Sequence, residues 1–385
     1  MTEATSLTSA LRALLEKSIA RAGGWLPFDR FMALALYAPG LGYYAHGSRK
    51  FGAMPSSGSD FVTAPEMTPL FGQALAVQLQ DALQATGTRE VWEFGAGSGA
   101  LALQLLPALG DRIDRYTIVD LSASLRARQQ ELLRVYGGKV RWVDALPEQF
   151  SGVVVGNEVL DAMPVKLLQR TDGAWYERGV GLRPLRQAQD RQAQPERKKP
   201  VRPEPVEGLV WIDQPTDLRP PMEVEGPHDY LTEIHPQAEA FVRTLADRLV
   251  QGAAFFLDYG FSEREYYHPQ RHMGTLMCHR GHLADTDPLT DVGSKDITAH
   301  VNFSGVALAA QEAGLPVLGY ASQARFLMNC GIVEQLAQAP LPERIAGQRL
   351  IAEHEMGELF KVVGFHKGAF WDAVGFREGD RTSTL

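Results

Sequence analysis

Two cysteines, Cys278 and Cys330, are all that 385 residues contain, and no C-x-x-C spacing links them. A disulfide framework and a cysteine zinc cluster are thereby excluded, and a reducing cytoplasm is the expected location. No stretch approaches the roughly 20 consecutive apolar residues that cross a bilayer. Met1 to Ala22 reads as a moderately amphipathic helix carrying Glu3 and Glu16, not as an apolar leader. Positive charge is also short: 38 Lys and Arg against 46 Asp and Glu leave a net charge of -8. With no long basic helix or aromatic-interleaved basic stripe, nucleic acid is not expected as the main partner. Disorder as the dominant state is excluded too, because 45% hydrophobic and 22% charged residues are ordinary for a folded protein. At this length the expectation is one central domain with elaborations, or two domains. A homodimer is among the assemblies this composition allows.

Five short apolar runs follow one another, mostly separated by helical patterns: Val91–Phe94, Tyr116–Val119, Val140–Val143, Val153–Val155 and Ala254–Leu257. Such alternation predicts βαβ units and an α/β fold with a mostly parallel, doubly wound sheet flanked by helices. Pro316–Tyr320 and Lys361–Phe365 are further strand candidates. Ligands in these folds sit beyond the carboxyl ends of the strands, which here are Glu93, Asp120, Asp144, Asn157 with Glu158, and Asp258. The long gap before the fifth run predicts an insertion over 165–250. Inside it, residues 185–208 read LRQAQDRQAQPERKKPVRPEPVEG and offer almost nothing to a core. A disordered loop is expected there, an insertion without a role rather than a docking arm. Residues 1–85 read as a helical and irregular region covering a pocket, with turn-rich stretches at 39–44 and 56–66, and residues 86–385 as the sheet domain.

The most functional stretch is Glu93-Phe94-Gly95-Ala96-Gly97-Ser98-Gly99. Alternate glycines after a strand let the backbone turn sharply and approach a ligand, while the first N–H groups of the next helix face it. A dinucleotide fingerprint, G-x-G-x-x-G, requires glycine at position 100, where Ala100 stands, which argues against a nicotinamide oxidoreductase. The G-x-G-x-G spacing with an acid two residues before it resembles motif I of class I S-adenosylmethionine-dependent methyltransferases, in which the acid and glycines surround the methionine end of the cofactor. Asp120, at the end of the second run, is placed to accept hydrogen bonds from both ribose hydroxyls; its competing reading is a cap of the helix near Ser122. Asp144 reads either as a partner of the adenine amino group or as an ordinary loop acid.

The fourth run ends Asn157-Glu158-Val159-Leu160-Asp161. Polar side chains directly after a buried strand cost desolvation unless they bind something, so they read as the substrate face. Methyl transfer from a sulfonium needs no metal; the protein aligns the acceptor and stabilises the charge as it moves. A pair of acids suits an arginine, holding its guanidinium bidentately. Glu158 and Asp161 share one helical face if a helix begins there; the competing reading is a helix cap by Asn157 with Glu158 in the first turn. The histidines from His268 to His300 lack metal-ligand spacing, so no metal is expected. Asp296 reads as the cap of a helix near Ile297.

Assembled, these residues resemble one methyltransferase family, the mitochondrial complex I assembly-factor methyltransferases and their MidA-like bacterial relatives. The matching stretches are LGYYAHG (41–47), SDFVTAPEMTPLFG (59–72), EFGAGSGAL (93–101), GNEVLDAMPV (156–165), DYGF (258–261), GTLMCHRGH (274–282), DITAHVNFS (296–304) and EMGELFKV (355–362). The resemblance implies a Rossmann-like class I fold with an N-terminal helical extension and insertions, S-adenosyl-L-methionine as cofactor, and arginine methylation of a protein, a complex I subunit or its bacterial counterpart. In this resemblance Glu93, Gly95, Gly97 and Asp120 match cofactor positions, Asn157, Glu158 and Asp161 the fourth-strand motif, and Thr63, Pro65 and Glu66 the N-terminal signature, with His300 in another matching stretch. Together with Gly99 and Asp144 from the loop reading, the expected site is Thr63, Glu66, Glu93, Gly95, Gly97, Gly99, Asp120 and Asp144 toward the cofactor and Asn157, Glu158, Asp161 and His300 toward the reaction. The chain departs from the pattern at Asn302, where aspartate is expected, and at Arg280-Gly281. The rival expectation is a cofactor-binding assembly chaperone whose methyl transfer is weak or lost, or transfer to a non-protein acceptor.

Overall fold

The computed structural model describes residues 3–45, 63–120, 122–183, 208–225 and 229–385. The chain opens with α1 (Glu3–Arg21), β1 (Trp25–Pro27) and α2 (Phe28–Tyr37), then passes through the single turn α3 (Ala64–Met67) to α4 (Leu70–Thr86). It alternates through β2 (Glu90–Phe94), α5 (Ala100–Leu109), β3 (Arg115–Val119), α6 (Ala123–Leu132), β4 (Val140–Val143) and β5 (Phe150–Asn157). An antiparallel excursion follows in β6 (Lys166–Thr171), β7 (Ala174–Leu182), β8 (Leu209–Pro215) and β9 (Tyr230–Ile234) before α7 (Pro236–Arg248) returns to β10 (Leu249–Phe261). The remainder comprises α8 (Glu263–Tyr266), β11 (Met277–Arg280), β12 (Leu283–Asp285), β13 (Asp296–Thr298), β14 (Val301–Asn302) and α9 (Phe303–Glu312). It closes with β15 (Val317–Ser322), α10 (Gln323–Asn329), α11 (Ile332–Gln338), α12 (Leu341–Ile351) and β16 (Phe360–Lys367).

The central sheet runs β15-β16-β10-β5-β2-β3-β4, with β14 added beside β10. Its pairings among β4, β3, β2, β5, β10 and β14 are parallel, and only β16 runs against its neighbours, β10 and β15. Both faces are covered: Val91, Val153 and Phe255 join the core with α4 and α5, while Trp92, Phe94, Val154 and Phe256 join a second core with α7 and α9. Burial on both faces is why these strands are written as unbroken apolar runs. The arrangement is a Rossmann-like α/β fold.

The excursion forms a second sheet, β1-β7-β6-β9, with β8 on β7. Because β1 pairs with β7, the N-terminal elements and the excursion share one structure, with Leu15, Phe28 and Phe31 of α1 and α2 packed beside Val180 and Leu167. α4, by contrast, packs into the core of the central sheet. The expected disordered loop at 185–208 falls outside the described residues except for Gly208, whose carbonyl accepts from the Arg183 N–H at 3.2 Å.

Candidate active site

β2 and β5 are neighbours with Phe94 opposite Gly156, so the segments leaving their carboxyl ends run side by side. The first is the glycine loop. Gly95, Gly97 and Gly99 take φ of 60°, 53° and 89°, the left-handed region in which a side chain is strained. A Cβ on Gly95 would stand 3.1 Å from the Val159 side chain, which is where the two loops meet. Ser98 Oγ donates to Glu66 on α3, bringing the segment that begins at Thr63 against the loop; Thr63 itself is half-buried at the start of α3 and makes no side-chain cap bond.

Asp120 stands where β3 ends. Its Oδ1 accepts from the Ser122 N–H and its Oδ2 from Gln129 Nε2, both at 2.8 Å, which leaves each oxygen a lone pair for a ribose hydroxyl. The cap of α6 is Ser122, whose Oγ accepts from the Leu125 N–H, and not Asp120. Gln129, buried on α6, also donates to Gly97 O at 2.9 Å and accepts from Trp142 Nε1 at 3.0 Å. One amide thus ties the glycine loop to Asp120 and to β4, a role that a glutamine inside a helix does not advertise in sequence. Asp144 is exposed and paired with Arg126, whose Nη2 also donates to Asp120 O at 3.0 Å, so it sits at the solvent rim. Glu93 is buried and accepts from the Tyr116 hydroxyl at 2.7 Å; burial pushes its pKa up to about 8.

The second segment corrects an expectation. No helix begins after β5, so Glu158 and Asp161 do not share a helical face and Asn157 caps none; the chain runs as a loop into β6. Glu158 takes φ 53°, and the next three N–H groups turn to a single acceptor. That acceptor is Asp258 Oδ2 on β10, at 3.1 Å from Val159 N, 2.9 Å from Leu160 N and 3.2 Å from Asp161 N. The Glu158 N–H donates to Leu257 O at 2.9 Å. A non-glycine residue held in this region costs on the order of 1–3 kcal/mol, and such residues cluster at functional sites.

Asn157 Nδ2 donates to Glu158 Oε1 at 3.0 Å, and the Ala64 N–H faces the same carboxyl group. Burial and then the charge of Asp161 push Glu158 up to about 8. Burial also raises Asp161, to about 6, against the Tyr259 hydroxyl and the Ala162 N–H that face it. Asn157 Oδ1 and Asp161 Oδ1 are buried acceptors without a partner.

Aromatic residues of the N-terminal region roof this cluster. The Tyr37 hydroxyl donates to Ala162 O and the Tyr44 hydroxyl to Asp296 Oδ2, both at 2.8 Å, with the two rings stacked 5.5 Å apart. Ser122 Oγ donates to Tyr44 O at 2.8 Å, so one turn reaches from the cofactor side to the acid side. Asp296 lies on β13 and caps no helix; the next helix, α9, begins at Phe303 with Asn302 as its cap, Oδ1 accepting from the Gly305 N–H at 3.2 Å. His300 lies behind Tyr259, rings 5.1 Å apart, with its Nδ1 buried and unpartnered. Burial, then Arg271 and Lys361, push it down to about 4, so the imidazole is neutral at neutral pH. Among the described residues no group of three or more His, Cys, Asp or Glu side chains is arranged to hold a metal ion.

The glycine loop, Glu66 and Asp120 therefore converge on one side, and Asn157, Glu158 and Asp161 on the other. A family model described as an S-adenosyl-L-methionine-dependent methyltransferase matches residues 74–321. The chain belongs to this family. A crystal structure of a Burkholderia thailandensis protein bound to S-adenosyl-homocysteine is 48% identical with a TM-score of 0.90, covering 100% of this chain and 99% of that one. A native structure of a superfamily protein from the same organism is 47% identical with a TM-score of 0.86, at the same coverage. Among curated relatives, the mitochondrial protein arginine methyltransferase NDUFAF7 of Danio rerio is 28% identical over 358 residues, 84% of this chain and 77% of that protein. The Caenorhabditis elegans homologue is 25% identical over 359 residues, 86% of this chain and 78% of its own length. The methyltransferase uses S-adenosyl-L-methionine, and its own residues fit that cofactor: three left-handed glycines permit close approach, and Asp120 keeps a lone pair on each oxygen at the end of β3.

Proposed function

We propose that the methyltransferase transfers its methyl group to a nitrogen of an arginine side chain in a protein substrate. The observation that carries this reading is the pair of buried acceptors without partners, Asn157 Oδ1 and Asp161 Oδ1, beside Glu158. An unpaired buried acceptor costs about 1–3 kcal/mol, and a guanidinium, with five N–H donors and a charge, satisfies several at once. A hydroxyl or thiol acceptor brings a single donor. The bound cofactor supplies an electrophilic methyl on a sulfonium. On the acceptor side, Asp161 and Asn157 orient the guanidinium, whose charge lowers the raised Glu158 pKa so that this carboxyl ionises and pairs with it, turning one nitrogen lone pair toward the methyl. As the N–C bond forms and the S–C bond breaks, one N–H proton must leave; Asp161, whose proton affinity burial raises, is placed to take it. His300, neutral behind Tyr259, completes the wall.

The names of the mitochondrial relatives support a protein substrate, and the resemblance to complex I assembly factors makes a respiratory complex I subunit or its bacterial counterpart the first to test, in the cytoplasm. Extract from cells lacking the methyltransferase, incubated with the protein and radiolabelled S-adenosyl-methionine, should yield labelled methylarginine after hydrolysis. Label only in other residues would overturn the arginine reading. Full complementation of such cells by Glu158→Gln and Asp161→Asn would favour a cofactor-binding assembly factor instead.

A further inference from the structure

We propose that Asp258 is a positioning residue for the acceptor side, holding from the neighbouring strand the loop that presents Glu158 and Asp161. The inference rests on reading Asn157–Asp161 as that side. Asp258 is 1% exposed and follows Leu257, the residue paired with Asn157 in the parallel ladder, so it lies directly beside the point where β5 ends. Its Oδ2 accepts three consecutive N–H groups and its Oδ1 accepts the Tyr259 N–H at 3.0 Å.

Convergent backbone N–H groups of this kind ordinarily make a concavity for an external anion. Here the Asp258 carboxyl of the same protein takes that place, filling the concavity before any substrate arrives; burial, then Asp161 and Glu158, push its pKa up, and the main-chain donors pull it back down. With its oxygens committed to four main-chain donors, Asp258 acts on the acceptor only through the loop. Two consequences follow from the geometry. The N–H direction at Val159, Leu160 and Asp161 fixes where the Asp161 carboxylate points, and the same turn keeps Glu158 left-handed, a conformation it would leave if the three bonds were lost. Tyr259, the next residue, faces the Asp161 carboxylate, so the end of β10 addresses both the backbone and the side chain of that residue.

Asp258→Asn tests the inference, because it keeps the volume while replacing one acceptor oxygen by a donor that opposes N–H groups. Three quantities are to be measured: S-adenosyl-homocysteine affinity by calorimetry, hydrogen exchange at residues 159–161, and label transfer from S-adenosyl-methionine into protein of an extract from cells lacking the methyltransferase. The expected result is affinity within threefold of wild type, exchange at the three amides at least tenfold faster, and a saturating transfer rate at least 30-fold lower. The extract concentration giving half that rate should shift less than threefold. A transfer rate equal to wild type overturns the inference, and so does loss of rate fully accounted for by loss of cofactor affinity, which marks a merely structural role. If wild type itself labels no arginine, the functional reading fails while the exchange result still judges the brace. Should the variant not fold, exchange on wild type decides: protection of the three amides equal to that of the β10 interior supports the brace, and loop-like exchange overturns it.

Discussion

Glu158, half-buried, combines a left-handed backbone with a carboxyl group whose pKa is pushed up to about 8, and neither property favours folding. Glycine at this position relieves the backbone strain but removes the carboxylate. Glu158→Gly is therefore expected to leave the melting temperature unchanged or slightly higher while methyl transfer falls more than 100-fold, checked by calorimetry and label transfer. A lower melting temperature would show that the Asn157 bond outweighs the strain. Glu93 carries the same kind of burden on the cofactor side, raised from 4.5 to about 8 mainly by burial. A folded state that keeps this proton while the unfolded chain releases it loses stability as pH rises from about 4.5 to about 8. The wild-type melting temperature should accordingly fall across that window. In Glu93→Gln, which retains an acceptor for the Tyr116 hydroxyl, the fall should be shallower; parallel curves would contradict the assignment.

Elements matter here mainly for what they hold in place. α6 contributes little to a core by its sequence, yet Gln129 on it joins Gly97, Asp120 and Trp142 through one amide. Gln129→Leu removes two donated bonds worth about 1 kcal/mol each, so S-adenosyl-homocysteine affinity should drop roughly tenfold or more with the fold intact, measured by calorimetry. An unchanged affinity would mean that the loop is rigid without it. The central strands were legible because burial on both faces writes them as apolar runs, and β4 coincides with the run Val140–Val143. β10 extends well beyond Ala254–Leu257: it starts earlier, passing through exposed Val250 and Gln251, and runs on through Asp258, a buried carboxyl that only its main-chain partners make buriable. The loop after β5 was not legible: a helix there was a reasonable reading of Glu158 and Asp161. What prevents it is a carboxylate 97 to 99 residues downstream, invisible to any local window. Asn302, a departure from the family pattern, turns out to serve as a helix cap, a position that asparagine and aspartate fill about equally well.

Across the whole molecule, a second sheet built from β1 and the excursion packs with α1 and α2, whose continuation through Tyr37 and Tyr44 roofs the acid cluster. Residues 184–207 join β7 to β8, and Arg183 and Gly208 at their ends are already hydrogen-bonded. Replacing 184–207 by a four-residue Gly-Ser turn should leave cofactor affinity and methyl transfer unchanged and raise stability by about 1 kcal/mol through the shorter loop closure, read by denaturant titration. Loss of transfer with retained cofactor binding would assign the segment a substrate role. The alternating runs were enough to specify the sheet, since backbone periodicity is a local property; the glycine spacing pointed to the cofactor class through its resemblance to a known motif, and the strand-end acids to the carboxyl edge as the candidate site. The shape of the acid cluster was decided by contacts between distant segments: Asp258 turning the Glu158 loop, Tyr37 and Tyr44 arriving from the N-terminus, and Asp296 entering on a strand instead of a helix. Buried carboxylates interact through space, so their pairing and their proton affinities exist only once the chain has closed around them.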